Sequence, residues 1–409
     1  MRTRFQPAVM AALVGAALVV SGCDAGSAQP SVGSSPGATV AHVVAPSGGS
    51  PSESGAADGE RAAAPALLSL SPAAGSQEVR PDRPVTVDVV GGRLSRVRLT
   101  ARDGKQLQGT LDAGGSWKLT EALAPGTTYT LAADGIGEDG TVVKASSTFS
   151  TVRANRLVST TLIPGDDWTV GVGMPVVVVF SQPVKNKEAA EAALTVDSTP
   201  SVEGAWRWFS STEVHWRPRV YWPAGTKVKV TAAMSKVELA DGVWGKRTTT
   251  STFSVGRSQI MTVDTAKHTM TVKRGDEVVK TMPVTTGKSG FRTRNGIKVV
   301  MSRESQVRMD ASTLGTDKND PDYYNLLVNW ALRLTYSGEY LHAAPWSVGS
   351  QGRANVSHGC TGMSTANARW LYDNSLVGDV VVFTGSPRAL EWGNGYTEWN
   401  MSFDRYAAA

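Results

Sequence analysis

The hydrophobic pattern divides the chain into stretches of different period. An unbroken apolar run from Ala8 to Val20 follows Arg2 and Arg4. It is shorter than the roughly 20 residues that a bilayer-spanning helix needs, and a basic start with small residues after the run predicts a secretory signal. Residues 24–64 are mostly Gly, Ala, Ser, Pro and Val, with no aromatic residue. Such a stretch cannot bury enough apolar surface to offset its ordering entropy, which predicts a tether. Strict alternation starts beyond it. Val85-Thr86-Val87-Asp88-Val89 and Val228-Lys229-Val230-Thr231 read as strands with one apolar face, separated by turns such as Ala124-Pro125-Gly126.

The alternating region repeats itself. Val79 and Pro84 recur as Val170 and Pro175, Trp117 and Gly126 as Trp216 and Gly225, and Ser147-Thr148-Phe149-Ser150 as Ser251-Thr252-Phe253-Ser254. The spacings within each pair are the same in both copies, which marks an internal repeat of one β-module. Each copy has about 100 residues, the size of an immunoglobulin-like sandwich. The modules are assigned to 65–153 and 154–256, with a short helix expected over Asn186 to Leu194 in the second.

A third pattern runs over 257–384. Ile260 to Asp264 and His268 to Val272 read as a hairpin, Val278 to Thr285 and Ile297 to Val307 as further strands, and Asn295-Gly296 as a turn. Ser364 to Asn374 has helical periodicity with a serine or threonine cap, and Asp379 to Phe383 reads as a buried strand. The tail, 385–409, carries Trp392, Tyr396, Trp399, Phe403 and Tyr406 and is expected to pack back on the folded part.

Charge and cysteine usage then narrow the chemistry. The net charge of +5 is mild, and no nucleic-acid motif accompanies it. Of the two cysteines, Cys23 closes Val20-Ser21-Gly22-Cys23. That run resembles the lipobox of bacterial lipoproteins, which implies a lipid on Cys23 and an anchor in the outer face of the cell membrane. Cys360 is then the single free thiol of an exported chain, which calls for a functional explanation. It ends Ser357-His358-Gly359-Cys360, and His342 lies eighteen residues upstream. A thiol with an imidazole is the minimum equipment for nucleophilic acyl transfer. His358 and His342 are both candidate bases; on a strand, His358 and Cys360 would face the same side. Gly359 lets backbone approach a substrate, and backbone N–H groups around it could hold an oxyanion. One Cys with two His lacks the paired spacing of structural zinc sites, so neither a metal nor another cofactor is expected. His215, beside Trp216, is assigned to packing; His42 and His268 receive no role.

These residues resemble the catalytic domain of L,D-transpeptidases, the YkuD family of cell-wall enzymes, whose motif is a histidine, a gap, then Ser/Thr-His-Gly-Cys and usually an Asn two residues on. Here the motif is His342, then Ser357-His358-Gly359-Cys360-Thr361-Gly362. The stretch His342 to Gly349, with Trp346, and the order of lipobox, tether, two modules, catalytic domain and aromatic tail resemble the actinobacterial members. The resemblance implies a mainly β chain: two immunoglobulin-like sandwiches followed by a β-rich YkuD-type domain. It implies Cys360 as nucleophile, His342 as base and His358 as the motif histidine near the thiol. It implies substrate contacts at Tyr324, Met309, Ser357, Gly359, Trp346 and Asn355, with Asp310 to Asp322 as a lid. The activity implied is formation of 3→3 cross-links between peptidoglycan stem peptides, a donor tetrapeptide losing D-Ala to an acceptor stem, with carbapenem β-lactams as inhibitors. Hydrolysis as an L,D-carboxypeptidase and a non-catalytic wall-binding lipoprotein are the alternatives. Two departures stand out: Gly362 replaces the usual Asn, and Ala343 stands where some members have Ser, a change that keeps the carbonyl available to orient the base.

Overall fold

The repeated alternation of the first module folds into two four-stranded sheets sharing one core. In the computed structural model, which describes residues 65–408, Leu67–Ser71, Thr86–Val90, Trp117–Leu119 and Gly109–Leu111 form one sheet, and Gln106–Leu107, Gly92–Ala101, Thr128–Gly137 and Val142–Ser150 the other. Val85, Val87 and Trp117 from one side meet Leu99, Leu131 and Phe149 from the other. The second module repeats the plan, with Thr160–Ile163, Val176–Phe180, Glu213–Pro218 and Gly204–Trp208 in one sheet and Thr169–Val170, Thr248–Val255, Lys227–Ala233 and Leu194–Thr199 in another. A short helix, Lys187–Ala192, is capped by the Asn186 side chain. The signal sequence, the lipobox with Cys23 and the tether lie outside the described residues.

The repeated residues perform the same tasks twice. Ser147 donates to the Pro72 carbonyl at 2.6 Å, and its counterpart Ser251 to the Pro164 carbonyl at 2.7 Å. Trp117 lies against Gly109 and Trp216 against Gly204, each so close that a Cβ on the glycine would be 2.2 and 2.0 Å from the indole. The repeat therefore marks two fixed points of a sandwich, a buried hydroxyl–carbonyl tie and a tryptophan over bare backbone.

The C-terminal domain has two sheets. One takes β1 (Gln259–Asp264), β2 (Thr269–Arg274), β3 (Glu277–Pro283), β4 (Gly296–Val299) and β9 (Val380–Thr384) in the order β3-β2-β1-β9-β4; the other takes β5 (Ser302–Asp310), β6 (Asn325–Arg333), β7 (Tyr340–Ala343) and β8 (Thr361–Met363) in sequence order. A helix, α1 (Thr365–Asp373), starts at the Ser364 cap and buries Ala368 and Leu371. Between the sheets lie Met261, Val263, Met270, Val272, Leu332 and Leu341. The expected strand from Ile297 to Val307 is two strands in different sheets. Val300 and Met301 make the crossing: their N–H groups bond to Asp379 of one sheet and Arg333 of the other. Nor is Asn295-Gly296 a turn. Asn295 pairs with the chain at Arg388 and Leu390, and Gly296 opens β4 with the Asn400 side chain against it.

The second module and the C-terminal domain share a core that includes Val176, Val178, Val299 and Val380. Gly171 makes this contact possible: a Cβ there would be 2.2 Å from the Asp379 nitrogen. The aromatic tail crosses the same face. Trp399 Nε1 donates to the Gly173 carbonyl at 2.8 Å, and the Arg217 guanidinium sits 4.8 Å from the ring centres of Trp399 and Tyr406. Such cation–aromatic contacts gain strength when shielded from water.

His215 is buried where the tail crosses, between Glu213 at 2.6 Å and Glu398 of the tail. Burial alone would lower its pKa, but Glu398 and Glu213 outweigh burial and raise it from 6.5 to about 9. A raised pKa stabilises the fold fully below the free-imidazole value of 6.5 and loses that contribution as pH climbs through about 9. The melting temperature is expected to fall across this window in the wild type and to follow a shallower slope in His215→Gln; parallel slopes would contradict the assignment.

Candidate active site

The parallel pairing of β7 with β8 sets the site. Leu341 pairs with Thr361, His342 with Gly362 and Ala343 with Met363. Leu341, Ala343 and Met363 point into the domain core. Alternation therefore turns Tyr340, His342, Gly362 and Cys360, two residues before Gly362, to the opposite face. Cys360 lies half-buried there against Val328, Ala331, Tyr340, Val307 and Met309.

The turn before β8 is shaped by its own side chains. Ser357 Oγ donates to the Cys360 carbonyl at 2.6 Å and accepts from the Gly359 N–H at 3.1 Å. Gly359 has φ +125°, a region open essentially only to glycine, and its carbonyl accepts from Thr293 Oγ1 at 2.7 Å. That turn breaks the extended alternation. The expectation that His358 and Cys360 share a strand face therefore loses its basis, and His358 Nε2 meets Asp322 Oδ1 at 3.1 Å, an oxygen that also binds Lys288 Nζ at 2.6 Å. Phe291 and Tyr324 flank its ring at 4.6 and 5.1 Å. His358 thus ties the turn to the segment expected to be a lid, which joins β5 to β6 and contains a short 3-10 turn, Ala311–Leu314, capped by Asp310.

His342 is buried, and its Nδ1 lies 2.9 Å from the Ala343 carbonyl. A carbonyl only accepts, so the proton sits on Nδ1 and Nε2 keeps a lone pair. Burial holds the His342 pKa below the usual 6.5, partly opposed by the Ala343 carbonyl. Burial pushes the Cys360 thiol up to about 12. Burial thus favours the neutral form of both groups. The thiol donates to the Gly338 carbonyl at 3.5 Å, and the Tyr340 backbone partly opposes the rise in its pKa.

The other expected contacts separate into two groups. Met309 packs in the Cys360 cluster, and Tyr324 is close enough for a charge on Cys360 to add to the burial that raises its phenol to about 12. Trp346 is 59% exposed, its ring 6.1 Å from that of His342, and forms an open wall. Asn355, expected to touch substrate, has its side chain engaged within the protein. Its Nδ2 donates to the Thr265 carbonyl at 2.8 Å, and its Oδ1 accepts from Thr286 N–H at 3.0 Å and Thr286 Oγ1 at 2.7 Å. His268 Nδ1 sits 2.9 Å from the same oxygen. Asn355 braces the loop that leads to the thiol. Among the described residues no group of three His, Cys, Asp or Glu side chains is placed to hold a metal ion.

Two buried charges that act on the thiol, Lys298 and Glu339, escaped the sequence reading. Lys298, in the apolar strand β4, pairs with Glu339, which also accepts from Arg294 Nη1 at 3.1 Å. A lysine between Ile297 and Val299 was the available signal; the partner depends on the crossing between sheets.

Gly362 fills a tight place. A Cβ there would be 2.9 Å from Ala344 Cβ and 3.1 Å from Thr285 Cγ2. Gly362→Asn, restoring the usual motif residue, is therefore expected to lower stability by about 1–3 kcal/mol through overpacking and to bring no gain in activity. Denaturant unfolding checks this; a variant as stable as the wild type would refute it.

Comparison with known proteins supplies the family. A model described as the YkuD L,D-transpeptidase catalytic domain matches residues 258–383, and one described as a bacterial Ig domain matches residues 76–238. L,D-transpeptidase 2 of Mycobacterium tuberculosis is 37% identical over 343 residues, 83% of this chain and 84% of the relative. L,D-transpeptidase 5 of the same species is 34% identical over 350 residues, 83% of this chain and 76% of the relative. A solved structure of the L,D-transpeptidase LdtMt1 in complex with imipenem is 38% identical, covers 55% of this chain and 97% of that chain, and has a TM-score of 0.49. With a YkuD domain behind its Ig-like region and relatives matched over most of their length, this chain belongs to the L,D-transpeptidase family.

Proposed function

We propose that the chain forms 3→3 cross-links in peptidoglycan through a thioester on Cys360. The observation that carries this reading is the shared face of Cys360 and His342, with the His342 proton fixed on Nδ1 by the Ala343 carbonyl. As the sulfur attacks the carbonyl of the third residue of a donor tetrapeptide, His342 Nε2 takes the thiol proton. Backbone N–H groups at the Cys360 turn, together with the Tyr324 phenol, hold the developing oxyanion. Collapse breaks the peptide bond; His342 returns the proton to the leaving D-Ala amine, and the acyl group stays on sulfur. A side-chain amine of a second stem then attacks the thioester, His342 accepts its proton, and the thiol is regenerated.

The same residues would open a strained β-lactam, so carbapenems would acylate Cys360. Met309, Trp346, Ser357 and Gly359 shape the cleft, and the 310–322 segment closes over the acyl-enzyme to exclude water. The lipobox and tether support a protein anchored through Cys23 to the outer face of the membrane and reaching into the wall. Incubation with purified disaccharide-tetrapeptide, followed by mass spectrometry, tests the reading: a cross-linked dimer with release of D-Ala is expected. Tripeptide without dimer would replace transfer by hydrolysis, and unchanged substrate would remove both.

A further inference from the structure

The Cys360 thiol lies against the backbone around one residue, Glu339: it donates to the Gly338 carbonyl at 3.5 Å, and its side chain packs with Tyr340. The Glu339 side chain is in turn immobilised. Its carboxylate accepts from the Arg294 backbone N–H at 3.0 Å and Arg294 Nη1 at 3.1 Å, and it pairs with Lys298 Nζ. Lys298 is fully buried, its ammonium 3.7 Å from the Phe383 ring centre. Arg294 also reaches Glu391 of the tail. The same short segment holds the other side of the thiol, since Thr293 Oγ1 donates to the Gly359 carbonyl at 2.7 Å. Residues 293–298 thus clamp both the residue before Cys360 and the residue next to its backbone partner Gly338, joining the sheet that contains β4 to the sheet that contains β7 and β8.

We propose that Glu339, with Lys298 as its buried counter-charge, is a positioning residue that sets where the Cys360 sulfur sits and what charge it faces. A buried ion pair is costly to assemble and is a weak device for stability alone. Here it faces a group that must become an anion or an acyl sulfide. Burial lowers the Lys298 pKa to about 8, with Glu339 opposing the fall and Cys360 itself adding to the opposition. Lys298 and Cys360 therefore feel each other's charge, while Glu339 raises the proton affinity of the thiol. Removing Lys298 leaves Glu339 with Arg294 alone, a cation that Glu391 shares, so more of the carboxylate's charge bears on the sulfur. Removing both charges restores the balance but frees the 338–340 backbone.

The inference rests on Cys360 being the nucleophile, and its test separates charge from position. In the full-length protein at near-neutral pH, iodoacetamide alkylation of Cys360, read by peptide mass, reports proton affinity. Release of D-Ala from tetrapeptide reports turnover. Lys298→Met is expected to alkylate about threefold more slowly, the effect of roughly one unit of pKa after the compensating rise in thiolate nucleophilicity. Lys298→Met/Glu339→Gln is expected to alkylate within about twofold of the wild type yet turn over about tenfold more slowly at unchanged KM, because the sulfur is no longer held in place. Should the single variant fail to fold, the double variant decides. Full turnover of the double variant would overturn the proposal, as would its slowness in both assays, which marks general damage to the loop. If the wild type released no D-Ala while alkylation still responded to Lys298→Met, the assigned reaction would fail and the charge arrangement would stand.

Discussion

Replacement of Cys360 by alanine is expected to abolish D-Ala release from tetrapeptide, a loss of at least about a thousandfold, and to leave the melting temperature close to that of the wild type. The side chain is half-buried at the edge of a small cluster, so truncation removes the nucleophile with little packing. Cys360→Ser should be nearly as inactive, because a hydroxyl gives up its proton far less readily than a thiol and the site lacks a cation in contact with the sulfur. The two residues act as one unit, so a Cys360→Ala/His342→Ala double variant should fall no lower than Cys360→Ala alone. Steady-state release measured by chromatography decides the matter. Retained turnover in Cys360→Ala would remove the thioester from the scheme, and additive losses in the double variant would mean that His342 serves some other step.

Much of this site is legible in the sequence, for local reasons. The repeated tryptophan, glycine and serine positions of the two modules do their work within one sandwich, so period and spacing expose them. The motif from Ser357 to Cys360 is likewise a local turn in which Ser357 and Gly359 bond to near neighbours. What stayed hidden depends on where separate segments meet. His358 was expected on the thiol's side because two residues apart on a strand share a face; the φ of +125° at Gly359 removes that premise. Asn355 reads alike as a substrate ligand or as a brace in the sequence; its bonds to Thr265 and Thr286, which engage the side chain within the protein, come from distant segments. The apolar run from Ile297 to Val307 has no marker for its crossing at Val300, where both neighbouring strands come from distant sequence. Lys298 and Glu339 lie forty-one positions apart and meet only because that crossing brings the two sheets together. Ala343 is the reverse case: the role foreseen for its carbonyl needs only the adjacent residue, and the bond is present at 2.9 Å.

His342→Ala is expected to slow Cys360 acylation by about a hundredfold to ten-thousandfold, the usual contribution of a positioned base, and to change the form of its pH dependence. The sign follows from the resting charges. Burial keeps the His342 pKa below 6.5, so its neutral, proton-accepting form dominates at neutral pH and is lost only as pH falls further. Burial keeps the thiol protonated up to about 12, so the sulfur does not supply thiolate unaided. The wild-type rate of carbapenem acylation should therefore be flat around neutrality and decline on the acid side with one ionisation. In His342→Ala the acid limb should vanish and the rate should rise with pH, following the small thiolate fraction. Stopped-flow acylation with intact-mass confirmation of the adduct gives both profiles. A resting thiolate–imidazolium pair would behave differently: ultraviolet thiolate absorbance would be present at neutral pH and would disappear in Cys360→Ala. Detecting that signal would overturn the neutral-pair assignment and make the His342 imidazolium the counter-ion of the resting sulfur, since the Lys298 charge is already engaged by Glu339.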